Sequence, residues 1–300
     1  MDFSRICEFV GNTPLFEISG LSGCGSIFVK AEYMNPSGSV KDRAALYILR
    51  GALLRGEIRS GDEIIEATSG NMGISLAMIG AAMGLKTRIV MPESATRERA
   101  ELIRAYGGDV IFTPAALGMP GAVKEAERLS RKTGTFYTRQ FDNRDGVLAH
   151  YETTGPEILA SLLEVPEIII AGVGTGGTVT GVSRYLKERG ACEVIAVEPR
   201  ESAVLSGGDP SPHGIQGLGA GFVPRILDRR LIDRVITVGT SEAMYYHEIL
   251  LKRYGLGVGI SSGAVIAAAI AVSGEEAARG KRIVALLPDS IQRYLSLYSI

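Results

Sequence analysis

Residues 35–43 read Asn-Pro-Ser-Gly-Ser-Val-Lys-Asp-Arg, and this stretch places a lysine at the start of a helix. Asn-Pro-Ser-Gly is a turn signal, and the residues after it predict a helix over Lys41–Leu54. Ser39 is the expected N-cap, with Asp42 three residues later in a near capping box. A positive charge at this position lies near the positive end of the helix dipole, which disfavours it. The position and partial burial therefore favour the neutral amine that a nucleophilic or Schiff-base lysine needs. The alternative is an ordinary solvated lysine, and the other loops of the chain decide between the two.

The composition excludes several classes of protein. The chain has 300 residues, of which 46% are hydrophobic, so it can bury a large core, and its length suggests two domains. A net charge of −1, without a basic block, argues against a general affinity for nucleic acid or membrane surfaces. No apolar run reaches membrane-spanning length. The three cysteines and three histidines lack metal-ligand spacing, which predicts no metal site and fits a cytoplasmic protein.

Short β-branched runs alternate with helical stretches along the chain. This alternation predicts α/β units with parallel sheets. The predicted strands are 27–31, 63–67, 87–91, 109–113, 167–173, 193–198, 234–238 and 282–288. The predicted helices include 41–54, 73–84, 97–106, 122–133 and 179–189. A polar run at 142–146 predicts a break between two such blocks. Because ligands of α/β folds bind beyond the carboxyl ends of the strands, the loops after the strands are where a site is expected.

One such loop follows the predicted strand 63–67 and reads Thr68-Ser69-Gly70-Asn71-Met72-Gly73. Hydroxyls, an amide and free backbone N–H groups at a helix start predict a site for a small carboxylate. The alternative is that Ser69 or Asn71 only caps the helix. Four clustered hydrogen-bonding groups favour the site.

A second loop follows the predicted strand 167–173 and reads Gly174-Thr175-Gly176-Gly177-Thr178. Its glycines allow the backbone to approach an anion closely, which predicts a phosphate-binding loop. Gly172, Gly174 and Gly177 also fit Gly-x-Gly-x-x-Gly, and Glu198 ends the next strand about twenty residues on, as in dinucleotide-binding folds. This segment alone would therefore indicate a nicotinamide-dependent dehydrogenase.

Two further segments complete the set of candidate loops. Gly259-Ile260-Ser261-Ser262-Gly263 joins a strand-like run to an alanine-rich helix, and a serine N-cap is the simpler interpretation of it. The glycine-rich segment 215–222, which includes Gly217, has little polarity. It predicts either a mobile wall of the site or a tight crossing of the chain.

Taken together, these segments resemble the cysteine synthase (O-acetylserine sulfhydrylase) family of fold-type II pyridoxal-phosphate enzymes. The likeness runs over nearly the whole chain. Besides 35–43, 68–73, 174–178 and 259–263, it includes 11–15, 91–93, 140–141, 150–158, 212–217 and 293–296. So many ordered motifs at family-like spacing disfavour the dehydrogenase interpretation, which leaves Lys41 and the Asn71 loop without a role.

The resemblance implies an architecture. It implies two doubly wound α/β domains with the cofactor in the cleft between them. The smaller, mobile domain is expected at 35–145, and the larger domain, which holds the phosphate loop, at 1–34 plus 146–300. A homodimer is expected, and the C-terminal tail of serine acetyltransferase is a possible partner.

The resemblance also implies roles for individual residues. Lys41 is expected to form the Schiff base with pyridoxal 5'-phosphate, and Asn71 to hydrogen-bond the phenolic oxygen of that cofactor. The implied phosphate ligands are Gly174, Thr175, Gly176, Gly177 and Thr178, and Ser261 is expected to face the pyridine nitrogen. The implied substrate-binding residues are Thr68, Ser69, Met72, Gln140 and Gly217. Met72 departs from the family pattern, because threonine is more common there.

The implied activity is a β-replacement that makes L-cysteine from O-acetyl-L-serine and sulfide. Relatives of the same chemistry leave alternatives open: O-phosphoserine as donor, serine with homocysteine, or release of sulfide from cysteine. A phosphoserine user should place an arginine against the leaving phosphate, and Arg225 follows the glycine-rich segment 215–222. A relative that only binds a partner in its cleft is a further alternative, and the intact Lys41 argues against it.

Overall fold

A computed structural model describes residues 5–21, 23 and 25–298 of the chain, and their strands form two sheets. The larger sheet has six strands in the order β1-β2-β10-β7-β8-β9. These strands are β1 (Leu15–Glu17), β2 (Ser26–Lys30), β7 (Ile168–Gly172), β8 (Glu193–Pro199), β9 (Arg234–Val238) and β10 (Arg282–Leu286). The smaller sheet has the order β5-β4-β3-β6. Its strands are β3 (Glu63–Ala67), β4 (Lys86–Pro92), β5 (Asp109–Thr113) and β6 (Phe136–Tyr137).

Helices connect and cover the strands. They are α1 (Lys41–Leu54), α2 (Asn71–Ala82), α3 (Arg97–Ala105), α4 (Gly118–Thr133), α5 (Asp145–Ala149), α6 (Gly155–Leu162), α7 (Gly177–Lys187), α8 (Thr240–Tyr254) and α9 (Ile260–Ser273). All eight predicted strands are present, and all neighbouring strands pair in parallel except β1 with β2. The predicted fold class is therefore confirmed. Strands β1 and β6 were not predicted, because three and two residues are too few to show a period.

The central strands of each sheet have apolar side chains buried on both faces. Along β7, Ile168 and Ile170 pack in the cluster that contains α9, whereas Ile169 and Ala171 pack in the cluster that contains α7. In the smaller sheet, Ile64 packs against α1 and α2, and its neighbour Ile65 packs against α4. Alternate residues of one strand thus pack against helices on opposite faces of the sheet.

A π-helical segment, His150–Thr154, connects α5 to α6 and packs against α7. The two elements are in close contact, since a Cβ added to Gly181 of α7 would lie 2.7 Å from His150 Cβ. The segment lies next to the loop that opens α7. The predicted domain boundaries, 35–145 and 1–34 plus 146–300, agree with the division into two sheets but stay a prediction. None of the helices that the structure describes is long and apolar enough to cross a bilayer.

Candidate active site

Loops from both sheets line one cavity of about 270 Å³. The loops after β3 and β7 meet there, as the carboxyl-end rule predicts. Twelve predicted site residues line it: Lys41, Thr68, Ser69, Asn71, Met72, Gln140, Gly174, Thr175, Gly176, Thr178, Gly217 and Ser261. Gly177 is not in the wall of the cavity. A Cβ there would lie 3.2 Å from the Gly146 carbonyl oxygen, so this glycine allows α7 to pack closely behind the loop.

Lys41 is the first residue of α1 and faces the cavity. Burial lowers the pKa of its amine below the usual value, and the nearby Asp289 carboxylate opposes this shift. The direction is the one predicted, and burial is its first cause. A lower pKa increases the fraction of neutral amine, which is the form that attacks a carbonyl group or takes a proton.

The predicted capping box of α1 is wrong. Val40 is the N-cap, and no side chain caps the helix, although Ser39 Oγ accepts a hydrogen bond from Lys41 N at 3.3 Å. Asp42 instead accepts from the backbone N–H of Ser37 at 2.7 Å and from Ser75 Oγ of α2 at 2.6 Å. The Asp42 carboxylate is buried, so two partners outside its own helix satisfy it better than a helix cap would. This contact joins the turn before Lys41 to the helix that begins at Asn71.

The loop after β3 is not a capping motif. Gly70 is the N-cap of α2, with φ of 150°, and no side chain caps the helix. The alternative that Ser69 or Asn71 only caps α2 is therefore wrong. Asn71 Nδ2 donates to Asp289 Oδ2, and Asn71 Oδ1 accepts from Arg293 Nε, both at 2.7 Å. Thr68 Oγ1 accepts from Gly70 N at 3.0 Å, which holds the turn closed.

Arg99 holds this loop by a hydrogen bond to its backbone, and no sequence motif indicated this residue. Its Nη1 donates to the Ser69 carbonyl oxygen at 3.0 Å, and its Nη2 donates to Tyr294 Oη at 2.8 Å. A Cβ on Gly70 would lie 2.2 Å from Arg99 Cδ, so glycine is needed there. A sequence signal exists, because Arg99 lies on the same face of α3 as the buried Ile103, where a charged residue is unusual.

Gln140 is held in the wall of the cavity by β3. Its Nε2 donates to the Ala67 carbonyl oxygen at 2.7 Å, and its backbone N–H donates to Glu66 Oε2 at 3.0 Å. Burial raises the pKa of Glu66 to about 7, although hydrogen bonds from Thr138, Gln140 and Ala67 act in the opposite direction. The Gln140 position thus depends on a buried carboxyl group that no sequence pattern indicated.

The glycine-rich loop after β7 forms a rigid cradle at the start of α7. A Cβ on Gly174 would lie 2.3 Å from the Gly217 carbonyl oxygen, and Gly176 has φ of 82°. The first N–H groups of α7 have no partners within the helix, so they can bind an anion. Thr178 Oγ1 lies 3.1 Å from His150 Nε2, and His150 Nδ1 lies 2.9 Å from Thr154 Oγ1. Burial lowers the pKa of His150 to about 3, so its ring is neutral and orients the threonine without adding charge.

Ser261 lies in the first turn of α9 and faces the cavity. The N-cap is Gly259, so the predicted alternative of a serine cap is wrong. The run before it is not a strand and contributes only an isolated bridge between Val258 and Ser290. Ser261 Oγ lies 3.5 Å from Asp289 Oδ1. Asp289 therefore connects Ser261 with Asn71.

Glu198 does not act as a ribose-binding acid. Its carboxylate is buried and accepts from the backbone N–H groups of Leu205 and Ser206, at 2.7 and 3.0 Å, and from Ser206 Oγ. These bonds fold the chain after β8 back onto the strand. The Gly-x-Gly-x-x-Gly spacing thus occurs here without its acidic partner in reach of a ligand.

The fold and the cavity together define an α/β protein in which a partly buried lysine and a glycine-rich helix-start loop line one cavity. A family model described as pyridoxal-phosphate dependent enzyme matches residues 6–289. A cysteine synthase of Staphylococcus aureus is 44% identical over 301 residues, which cover 98% of this chain and 97% of that protein. The solved structure of O-ureido-L-serine synthase is 42% identical, with a TM-score of 0.94 over 98% of this chain and 94% of that chain. That of a cysteine synthase from Entamoeba histolytica is 40% identical, with a TM-score of 0.93 over 100% and 92%.

The chain therefore belongs to the pyridoxal-phosphate dependent enzymes and, among them, to the cysteine synthase (O-acetylserine sulfhydrylase) family. Its activity is a β-replacement on small amino-acid substrates, and its cofactor is pyridoxal 5'-phosphate. The family and the cofactor that the sequence predicted are confirmed. The dehydrogenase alternative is wrong.

The residues of the cavity fit that cofactor. The cradle of Gly174 and Gly176 has no room for side chains and offers N–H groups to a phosphate. Lys41 offers an amine of lowered pKa to an aldehyde. Gln216 Oε1, in the same wall, is buried and has no hydrogen-bond partner among the described residues, so it can accept from a bound molecule.

Substitution of Met72 by threonine should have two effects of opposite sign. Met72 is 1% exposed and packs in the apolar cluster of α1 and α2. It also lines the cavity. Loss of its buried methylenes should lower the free energy of unfolding by about 2 kcal/mol. A new hydroxyl group at the start of α2 should strengthen binding of an amino-acid carboxylate by about 1 kcal/mol, which is roughly fivefold. Titration with L-alanine, which has no leaving group, and urea unfolding measure the two effects separately.

Met72→Leu is the matched control, because it keeps the apolar volume and adds no hydroxyl group. If Met72→Thr and Met72→Leu bind L-alanine equally well, residue 72 only fills space and has no role in carboxylate recognition.

Proposed function

We propose that this enzyme makes L-cysteine from O-acetyl-L-serine and sulfide, with Lys41 as both the attachment point of the cofactor and the general base. The observation that carries the proposal is the position of Lys41. Its amine has a pKa lowered by burial, and the residue lines one cavity with the Asn71 loop and with the cradle that opens α7. The acetyl ester of the donor is uncharged until it leaves as acetate, so its binding does not require a further cation in the wall.

When bound, pyridoxal phosphate supplies an electron sink for the α-carbon of the amino acid. The residues of this chain supply orientation and proton transfer. We propose that Nζ of Lys41 takes the α-proton of the substrate. Ser261 places a hydroxyl group rather than a carboxylate at the pyridine nitrogen in this proposal. A hydroxyl group cannot keep that nitrogen protonated, so the sink is milder and favours elimination over transamination.

The substrate carboxylate is proposed to bind Thr68, Ser69 and Gln140. Hydrogen bonds within the protein already hold this surface in place. Thr68 Oγ1 is bonded to Gly70 N, the Ser69 carbonyl oxygen to Arg99, and Gln140 to Ala67 and Glu66. Groups held in this way lose little freedom when a ligand binds. The α2 start adds backbone N–H groups, which suit an anion.

The arginines near the cavity support the acetyl ester as the donor. Arg225, the candidate phosphate ligand of the sequence analysis, has a side chain that is 84% exposed and lies 3.8 Å from Asp142 Oδ1. It is not in the wall of the cavity. Arg99 is in the wall, but both of its terminal nitrogens are bonded to Ser69 and Tyr294. Arg225 is therefore not in place to bind a leaving phosphate, and Arg99 keeps both protein partners only if it donates from its buried Nε, which has no hydrogen-bond partner among the described residues.

The enzyme should use O-acetylserine more efficiently than O-phosphoserine. A charge-assisted hydrogen bond to the phosphoryl group is worth about 1.5–3 kcal/mol, and its absence should cost the phosphoryl ester roughly tenfold or more in kcat/KM. The measurement is kcat/KM for each ester with sulfide in excess. Faster turnover of O-phosphoserine would overturn the proposal. Arg225→Ala and Arg99→Lys would then identify the arginine that binds it.

Product analysis distinguishes the proposed acceptor from the alternatives. With O-acetylserine as donor, the enzyme is expected to form cysteine from sulfide faster than cystathionine from homocysteine. Release of sulfide from cysteine alone is expected to be slow. Faster cystathionine formation, also seen with serine in place of O-acetylserine, would support the serine and homocysteine alternative, and rapid sulfide release would support the cysteine-degrading one. The homodimer and the serine acetyltransferase tail as partner remain predictions from the family resemblance, and the cytoplasmic location remains a prediction from the cysteine pattern.

A further inference from the structure

A buried cluster of charged residues lies directly behind Asn71. Arg293 and Asp289 belong to the C-terminal part of the chain, and both are 0% exposed. Arg293 Nε donates to Asn71 Oδ1 at 2.7 Å, and Asn71 Nδ2 donates to Asp289 Oδ2 at 2.7 Å. The two ends of one side-chain amide are therefore held by two different residues, 222 and 218 positions away in the sequence.

These partners permit only one orientation of the amide. A guanidinium group can only donate hydrogen bonds, so the Asn71 atom that faces Arg293 must be the oxygen. The Asp289 carboxylate oxygen accepts from Asn71 Nδ2 and also from Tyr294 Oη, at 2.8 Å. A flipped amide would place its NH₂ group against the guanidinium and its oxygen against the carboxylate. Both contacts would be repulsive.

We infer that Arg293 is a positioning residue, which fixes the Asn71 amide so that the cavity wall offers an N–H donor rather than a carbonyl acceptor at this point. Asp289 uses one of the two hydrogens of Nδ2, and the second remains for a bound molecule. The phenolic oxygen of pyridoxal phosphate is an acceptor of the matching kind. This last step rests on the proposed role of Asn71 in binding that oxygen.

Arg293 is anchored independently of Asn71. Its Nη1 donates to Ser290 Oγ at 2.8 Å, and its Nη2 donates to the Ser37 carbonyl oxygen. Ser37 belongs to the turn that leads into Lys41. The guanidinium group thus has a fixed place before it meets Asn71, which a positioning residue requires. The same contacts mean that a substitution of Arg293 can also act through the Ser37 turn, and the experiment must separate these two effects.

The test uses four variants: Arg293→Met, which has no donor, Arg293→Lys, which keeps one, Asn71→Ala, and the double variant Asn71→Ala/Arg293→Met. The readouts are the affinity of the cofactor-free protein for pyridoxal phosphate and the absorption spectrum of the bound cofactor. Arg293→Met should weaken binding roughly fivefold to tenfold, the factor for one lost hydrogen bond, and should shift the spectrum toward that of Asn71→Ala. Arg293→Lys should recover most of this loss.

The double variant decides between positioning and a general structural role. If Arg293 acts through Asn71, the double variant should bind pyridoxal phosphate no more weakly than Asn71→Ala. Additive losses would overturn the inference, because they would show that Arg293 acts elsewhere. Should Arg293→Met fail to fold, Arg293→Gln can carry the same test. A glutamine amide can either donate or accept, so it no longer selects one orientation of Asn71.

A cofactor-free measurement separates this inference from the proposed function. The side-chain amide resonances of Asn71 in the protein without cofactor should move in Arg293→Met. They should stay unchanged in Ser290→Ala, which removes another contact of Arg293 but leaves Arg293 Nε on Asn71. Unchanged Asn71 resonances in Arg293→Met would overturn the inference. If those resonances move but cofactor binding does not depend on Asn71, the proposed role of Asn71 fails while the positioning by Arg293 stands.

Discussion

Substitution of Lys41 by alanine should lower the rate of cysteine formation by roughly 10³-fold or more, because the proposed function gives one side chain both the covalent link to the cofactor and the role of general base. The wild-type protein should be yellow, and borohydride should fix the cofactor on Lys41. Peptide mapping of the reduced protein identifies the labelled lysine. In Lys41→Ala the same treatment should leave no label.

Lys30 is the matched control for this experiment. Burial also lowers the pKa of Lys30, but its amine is 2.6 Å from Glu157 Oε2, donates to the Thr13 carbonyl oxygen and does not line the cavity. A low pKa alone should therefore not be enough for labelling. A label on Lys30, or on any lysine other than Lys41, would contradict the assignment.

Substitution of Gly174 by alanine should weaken the binding of pyridoxal phosphate by roughly a hundredfold, which corresponds to about 2.7 kcal/mol. The new Cβ would lie 2.3 Å from the Gly217 carbonyl oxygen. This contact is with backbone, so one of the two loops must move, and overpacking of this kind costs about 1–3 kcal/mol. Both loops line the cavity, so the movement should distort the proposed phosphate-binding loop. Titration of the cofactor-free protein with pyridoxal phosphate measures the effect, and urea unfolding measures the accompanying loss of stability.

Gly146→Ala is the control, because the structure has space for a Cβ atom at this glycine. A Cβ there would be 3.8 Å from its nearest neighbours, Ala44 and Ile48, and the residue lies within α5, where alanine is the better helix former. Its cofactor affinity should equal that of the parent protein. Equal affinity of Gly174→Ala and Gly146→Ala would mean that the 174–178 loop does not bind the phosphate group.

The elements of regular structure were predictable wherever the local pattern was long enough. The helix Lys41–Leu54 and the strands Glu63–Ala67, Asp109–Thr113 and Arg234–Val238 have the bounds that the sequence predicted. Their apolar periods and turn signals depend on neighbouring residues only. The same local logic failed at Asp42 and at Ser261. Both have the spacing of helix caps, but their side chains have partners on other elements.

The predicted site residues come together because the topology brings the ends of parallel strands to one edge. The position of the loops after β3 and β7 at this edge could be predicted without knowing any side-chain contact. Glu198 shows the limit of this reasoning. It stands at the end of β8 at the spacing of a ribose-binding acid, but its carboxylate is used by Leu205 and Ser206. Motif spacing reports where a residue lies along the chain and not which hydrogen bonds it makes.

The fold class and the loops around Lys41 could be predicted from the residues alone, because they depend on local pattern, and the order of the motifs carried the resemblance that implied the family and its cofactor. How those loops are held could not be predicted, because it depends on contacts that form only in the folded chain. Arg99 beneath Gly70, Glu66 behind Gln140, His150 beside Thr178 and the pair of Asp289 and Arg293 on Asn71 are contacts between distant parts of the chain. A buried polar group takes whichever partner the fold brings within hydrogen-bonding distance, since leaving it without one is costly, and that partner is set by packing rather than by sequence neighbours.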